Sequence, residues 1–279
     1  MKAYIRLLRP KHCIKNILVM LPLVFSGQLF EPRLLGQAVC AFLAFCALAS
    51  LVYIINDIKD VERDRQHPTK CRRPIASGAV PVSHAVAEAV VVGGVLVGLA
   101  VWGRFSWESW LCLGAYFVLN LGYSMGLKHV PILDIAILVS GFLLRVLLGS
   151  AVTGIATSGW LYLTVTSVAF YMGLSKRRGE LRTSSASTRR VLRYYNDAFL
   201  SQNMQMCLTL AVVFYSLWSV DRGGNLMWTV PLVICICLRY SMVVEGNSDG
   251  DPVEVVFQDK VLLILACIFA VITLVFLYV

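Results

Sequence analysis

The sequence predicts an all-α membrane protein with nine transmembrane helices, and three observations carry the prediction. Of the 279 residues 58% are hydrophobic and only 15% charged, at a mean hydropathy of +0.74. A water-soluble domain carries about a quarter charged residues, and a disordered chain needs low hydrophobicity, so both classes are excluded. Nine apolar runs follow one another without the period-two alternation of a membrane barrel. Basic residues crowd into every second connection. Each crossing of a ~30 Å hydrocarbon layer takes about 20 residues at ~1.5 Å per residue, so the length suits one multi-pass domain over 1–279 and no large soluble module.

The runs lie at 16–30, 34–55, 85–101, 110–123, 133–152, 160–174, 204–220, 226–244 and 261–279. The first, fourth and sixth are short and must extend into their flanks or tilt little to cross. No cleavage-site pattern follows the first run, which therefore reads as a retained helix and not a signal peptide. With the N-terminus in the cytoplasm, 21 of the 25 Lys and Arg residues fall on the inner side. Arg33, Arg104 and Arg222 lie outside and Arg145 within a span, which is the positive-inside pattern. The inner connections at about 56–82, 175–203 and 245–260 are long and hold most of the polar chemistry. The chemistry is therefore expected at the cytoplasmic face of the inner (plasma) membrane. A net charge of +9 suits anionic lipid or anionic substrates. Nucleic acid fits poorly, because the cations sit in short loops instead of on a soluble module. The nine cysteines form no CxxC pair and mostly lie in apolar runs, so they read as core filler.

Helix 2 is expected to continue unbroken through Asn56-Asp57-Ile58-Lys59-Asp60-Val61-Glu62-Arg63-Asp64. At ~100° per residue Asn56, Asp57, Asp60 and Asp64 share one face. Three carboxylates on one stripe repel one another unless a cation neutralises them, and oxygen-only ligands favour Mg²⁺ completed by water and substrate phosphates. The plainer alternative is a solvated helix end paired with Lys59, Arg63 and Arg65. Downstream, Pro68, Pro74 and Gly78 constrain a loop carrying Lys70, Arg72 and Arg73. Cations beside an acid stripe make sense if a diphosphate sits between them. On helix 5, Asp134 and Arg145 share a face about 16 Å apart. Asp134 is expected to orient a basic residue such as Lys128 or to support the metal, and the buried Arg145 needs a polar partner. Asp197 reads as a helix start.

Asn56-Asp57-x-x-Asp60-x-x-x-Asp64 followed by His67-Pro68 and Arg73-Pro74-x-x-x-Gly78 resembles the first signature of the UbiA-type intramembrane prenyltransferases. The likeness covers essentially the whole chain and implies nine helices around a central cavity. Four further segments are similar to the decaprenyl-phosphate phosphoribosyltransferase branch, which joins phosphoribosyl pyrophosphate to a polyprenyl phosphate. These are Arg9-Pro10-Lys11-His12-Cys13-Ile14-Lys15-Asn16, Tyr123-Ser124-x-x-Leu127-Lys128, Ser175-Lys176-Arg177-Arg178-Gly179-Glu180-Leu181 and Asp251-Pro252-x-Glu254. Typical family prenyltransferases carry a second Asp-rich motif, where this sequence is basic at Lys176-Arg177-Arg178. That departure favours direct binding of phosphate groups over a second metal-binding cluster.

The expected site follows. Asp57, Asp60 and Asp64 are catalytic and, with Asn56, hold Mg²⁺. Lys15, Asn56, Lys70, Arg73, Tyr123, Lys128, Lys176, Arg177 and Arg178 bind substrate. The expected reaction transfers phosphoribosyl to polyprenyl phosphate with release of diphosphate; whether the chain self-associates stays open. Two other readings remain at this point. One is a prenyltransferase acting on an aromatic acceptor, against which the missing second acidic motif counts. The other is a non-enzymatic transporter of lipid-linked sugar, which would place its polar groups near mid-membrane instead of at one edge.

Overall fold

The computed structural model describes residues 2–182, 190–246, 255–256 and 259–279, and all regular structure among them is helical. In chain order the α-helices are α1 (Lys2–Leu7), α2 (Leu21–Ser26), α3 (Pro32–Lys59), α4 (Val61–Arg65), α5 (Val82–Trp102) and α6 (Trp107–Met125). They continue with α7 (Leu133–Thr153), α8 (Gly159–Arg182), α9 (Asp197–Arg222), α10 (Val230–Glu245) and α11 (Lys260–Tyr278). Among the described residues six helical segments are long and apolar enough to cross a membrane: α3, α5, α7, α9, α11 and Leu226–Glu245, which contains α10. The fourth and sixth predicted runs are also long helices, α6 and α8. The first is not one α-helix. It begins in a 3₁₀ stretch over Pro10–Met20 and becomes α2 only at Leu21, with Pro22 in the first turn, where its missing N–H costs nothing.

The chain forms two compact units. Unit 1 comprises Met1–Ser124 and Leu144–Ile155, and unit 2 comprises Met125–Leu143 and Ala156–Val279, so the division falls inside α7. In unit 1, α3 buries Ala38, Ala41, Phe45, Leu48 and Val52, a three-four spacing that makes one continuous stripe. This stripe packs with Leu96 and Ala100 of α5 and with Leu113 and Tyr116 of α6. Lipid tails are as apolar as these side chains, so close van der Waals fit, not escape from water, holds the helices together. The opposite side of α5 leaves Val90, Val91, Val95 and Val101 exposed, and Trp102 and Trp107 flank the turn to α6, as interfacial anchors do.

Gly149 of α7 shows how tight that fit becomes. A Cβ built there would lie 1.9 Å from the backbone oxygen of Val19. Gly149→Ala is therefore expected to destabilise the protein by about 1–3 kcal/mol or more, because backbone must move and no flexible side chain can give way. Thermal unfolding of the detergent-solubilised variant measures this. In unit 2, Ile135, Val139, Tyr171, Leu174, Leu192, Leu200 and Met204 form the core. Asn196 caps α9 by accepting the Phe199 N–H at 2.7 Å. The cap is thus one residue before Asp197, which is left for ion pairing.

Candidate functional site

The acid stripe is broken where the sequence suggested continuity. α3 ends at Lys59, Asp60 adopts φ −94°, ψ 9°, and the chain re-enters a helix at Val61. The hydrogen-bond ladder survives the break, with Asp60 N–H donating to Asn56 at 2.9 Å and Asp64 N–H to Asp60 at 2.8 Å. Asp is a weak helix former, and like charges one turn apart resist a straight helix. Asp57 and Asp64, two helical turns apart on one face and each 3% exposed, converge on one guanidinium. Arg73 Nη1 donates to Asp57 Oδ1 at 3.1 Å and to Asp64 Oδ2 at 2.6 Å.

A second cation completes the cluster, and sequence reasoning had not placed it among the site residues. Arg9 Nη2 donates to Asp57 Oδ1 at 2.6 Å, and its guanidinium lies 4.5 Å from the centre of the Tyr53 ring. Arg9 holds φ 51°, a left-handed backbone uncommon for a side chain of this kind and a form of strain that clusters at working sites. Its available signal was the Arg9-Pro10 pair, because a residue before proline is already restricted. Around this centre Asn56 Oδ1 accepts from Ser124 Oγ, and Lys59 donates to the Ser124 carbonyl at 3.0 Å. Asp60 is partly exposed and lies 3.7 Å from Arg63. Lys70 is exposed, while Lys15 and Tyr123 are half-buried.

The donor set suits a hard divalent cation. Among the described residues no three acidic, His or Cys side chains gather into a metal cage. Mg²⁺ seldom uses one: it takes one or two carboxylates, keeps several waters and binds substrate phosphate. Asp57 and Asp64 are two buried carboxylates close enough to share one guanidinium, which is the number and type of protein ligand that Mg²⁺ takes when substrate phosphate completes its shell.

Also in unit 1, Arg145 lies buried in α7. It donates to Asn16 Oδ1 at 2.8 Å and to the Tyr116 hydroxyl at 3.4 Å, and it stands 4.5 Å from the Phe45 ring centre. Its partners are an amide, a phenol and aromatic faces, all of which satisfy a guanidinium.

Unit 2 contains a separate polar network. Asp134, fully buried, pairs with the equally buried Arg177 at 2.9 Å, so its cation is Arg177 and not the expected Lys128. Arg177 also pairs with Glu180. Arg178 bridges Asp197 and Glu245, and Arg182 meets the same two acids. The basic segment, expected in the connection at 175–203, lies instead within α8 as far as Arg182, with Arg177 and Arg178 facing carboxylates from α7, α8, α9 and α10. Lys176 and Lys128 are half-buried. Asp251 and Glu254, part of the sequence resemblance, lie outside the described residues.

Tyr195 closes the network. Its hydroxyl donates to Asp134 Oδ1 at 2.7 Å and accepts the Ile132 N–H at 2.7 Å. Burial, then the hydrogen bond to Asp134, pushes the phenol up to about 12. A raised value means that the contribution to stability is complete below the ordinary phenol value of ~10 and is lost as pH rises from there through about 12. Tyr195→Phe is expected to cost about 1–3 kcal/mol at neutral pH, leaving Asp134 short of a donor. The variant also loses the alkaline fall in stability over that window. Denaturant unfolding at pH 9 and pH 11 measures both effects.

A multi-pass helical bundle with buried carboxylates and paired arginines at the end of one span defines an intramembrane helical protein equipped for polyanion chemistry. The chain belongs to the UbiA prenyltransferase family, whose profile matches residues 18–264. It is 37% identical over 275 residues to the decaprenyl-phosphate phosphoribosyltransferase of Corynebacterium glutamicum, covering 94% of this chain and 82% of that one. The identically named protein of Mycobacterium tuberculosis is 34% identical over 274 residues, covering 94% and 90%. The fold matches a UbiA homolog from Archaeoglobus fulgidus bound to GPP and Mg²⁺, with a TM-score of 0.71, 16% identity and 99% of both chains aligned.

Proposed function

We propose that the protein transfers 5-phosphoribosyl from phosphoribosyl pyrophosphate to a polyprenyl phosphate, releasing diphosphate, at the cytoplasmic face of the inner membrane. The observation that carries this reading is the 34–37% identity, across 94% of this chain, to relatives named for that reaction. The site's chemistry agrees. Asp57 and Asp64, with Asp60 and Asn56 near them, would hold Mg²⁺, which when bound supplies charge neutralisation for the diphosphate. Arg73 and Lys70 share the charge that develops as the C1–O bond breaks and the diphosphate leaves with its electron pair. An oxygen of the polyprenyl phosphate then forms the new bond to C1. That oxygen is already anionic at neutral pH, so the site needs no general base, and the protein contributes placement and leaving-group stabilisation. Lys15, Tyr123, Lys128 and Lys176 are assigned to the 5-phosphate and the lipid phosphate, while Arg177 and Arg178 are engaged by carboxylates within unit 2. The polar connections around 56–82, 175–203 and 245–260 face the cytoplasm in this reading.

Purified protein incubated with radiolabelled phosphoribosyl pyrophosphate, polyprenyl phosphate and Mg²⁺ is expected to yield a labelled lipid with no prenyl diphosphate present. Absence of that product, together with consumption of prenyl diphosphate and an aromatic acceptor, overturns the proposal.

A further inference from the structure

A 3₁₀ turn of three residues, Lys70–Arg72, follows α4 in unit 1, and the N–H groups that open such a turn have no carbonyl within it to bond. Thr69 stands at the N-cap, where a hydroxyl usually takes up these donors, yet it makes no side-chain cap hydrogen bond. His67 supplies the acceptor instead. Its Nδ1 accepts the Thr69 N–H at 3.3 Å and the Lys70 N–H at 3.4 Å. Both bonds are long because one lone pair serves two donors. Pro68 has no N–H to offer, so Thr69 carries the first donor after His67. With Nδ1 accepting, the ring proton sits on Nε2.

These bonds belong to a closed circuit with steps of three residues. The His67 N–H donates to the Asp64 carbonyl at 3.2 Å, and the Arg73 N–H donates to the Lys70 carbonyl at 2.9 Å. The Arg73 guanidinium then returns to Asp64 Oδ2 at 2.6 Å. Asp64, His67, Lys70 and Arg73 thus fix one another. A further bond, from the Cys71 N–H to the His67 carbonyl at 3.2 Å, braces the same turn. Lys70 is exposed, so the turn, and not packing around the side chain, sets where its ammonium can reach.

We infer that His67 is a positioning residue of the diphosphate site: its ring caps the turn that carries Lys70 and Arg73 and so sets both cations beside Asp64. The inference rests on the function proposed above and adds what holds the leaving-group cations in place. The chemistry of the cap picks out its substitutes. Asparagine carries Oδ1 at the same number of bonds from Cα as Nδ1 of histidine, and it readily bonds the N–H two residues on. Glutamine carries its oxygen one bond further out, and alanine has no acceptor.

The test compares full-length wild type with His67→Asn, His67→Gln and His67→Ala. Amide hydrogen exchange of the peptide covering 66–73 reads the cap independently of activity. Exchange there is expected to quicken about tenfold in His67→Ala and His67→Gln, and to stay within about twofold of wild type in His67→Asn. In the transfer assay, kcat/KM for phosphoribosyl pyrophosphate is expected to fall about tenfold in His67→Ala and His67→Gln and to be rescued in His67→Asn, while KM for polyprenyl phosphate stays within about twofold throughout. A role confined to overall stability would move both substrates together and would not separate Asn from Gln. Exchange or kcat/KM within about twofold of wild type in His67→Ala, or His67→Asn as impaired as His67→Gln, overturns the inference and leaves the proposed transfer intact. Should His67→Ala fail to fold, the contrast of Asn with Gln decides alone. The expected exchange pattern in a protein whose wild type transfers nothing overturns the proposed transfer and leaves the cap standing.

Discussion

Asp57→Asn is expected to lower phosphoribosyl transfer by about 10²–10³-fold or more, with the helix content of the protein unchanged. Asparagine preserves the shape of the side chain and removes its charge. In the folded protein Asp57 accepts from both Arg9 and Arg73 and is 3% exposed, so no water-borne anion can readily replace it. The loss should fall on kcat if the carboxylate acts as the diphosphate departs, and mainly on KM if it only tethers substrate. Asp60→Asn separates enzyme from transporter, because full turnover without that carboxylate would argue for transport. Both are measured by product formation from labelled phosphoribosyl pyrophosphate at saturating and limiting Mg²⁺.

Arg177→Met carries the largest expected stability effect. Arg177 is fully buried and pairs with Asp134 and Glu180. Removing one member of a buried pair leaves an uncompensated charge and costs about 3–5 kcal/mol. The expected result is a protein that extracts poorly and unfolds at much lower temperature. The double variant Arg177→Met with Asp134→Leu should recover part of that loss, since replacing a whole buried pair with apolar groups is often close to neutral. A thermal series on wild type, single and double variants tests the pair directly. No recovery in the double variant would show that Tyr195 and Glu180 depend on the pair for their own positions.

The helical class and most spans were legible because an apolar run of span length has few alternatives in a bilayer. The first run misled: composition marks a segment as apolar but does not separate a 3₁₀ stretch at Pro10–Met20 from an α-helix. The acid stripe was legible as a cluster and wrong in its backbone. Angular arithmetic put Asp57 and Asp64 on one face, where both meet Arg73, but it assumes an unbroken helix and so did not show the interruption at Asp60. Arg9 was hidden because its partner stands 48 positions away in sequence. The Asp134–Arg177 pair was hidden for the same reason, and a lysine six residues from Asp134 drew the attention. Adjacent basic residues such as Lys176, Arg177 and Arg178 look interchangeable in a string of letters. On a helix they point about 100° apart, and the two arginines meet different acids.

The arithmetic of the pairing around Asp57 has one further consequence. Two guanidiniums face two carboxylates there, so the cluster is electroneutral before any substrate arrives. A lone dication entering it would strand two surplus positive charges at the membrane edge, and a lone pyrophosphate would strand negative ones. With Mg²⁺ as proposed, the metal and pyrophosphate should therefore load together, each offsetting most of the charge that the other brings, and calorimetric titration of Mg²⁺ alone should register almost no heat until the sugar phosphate is added.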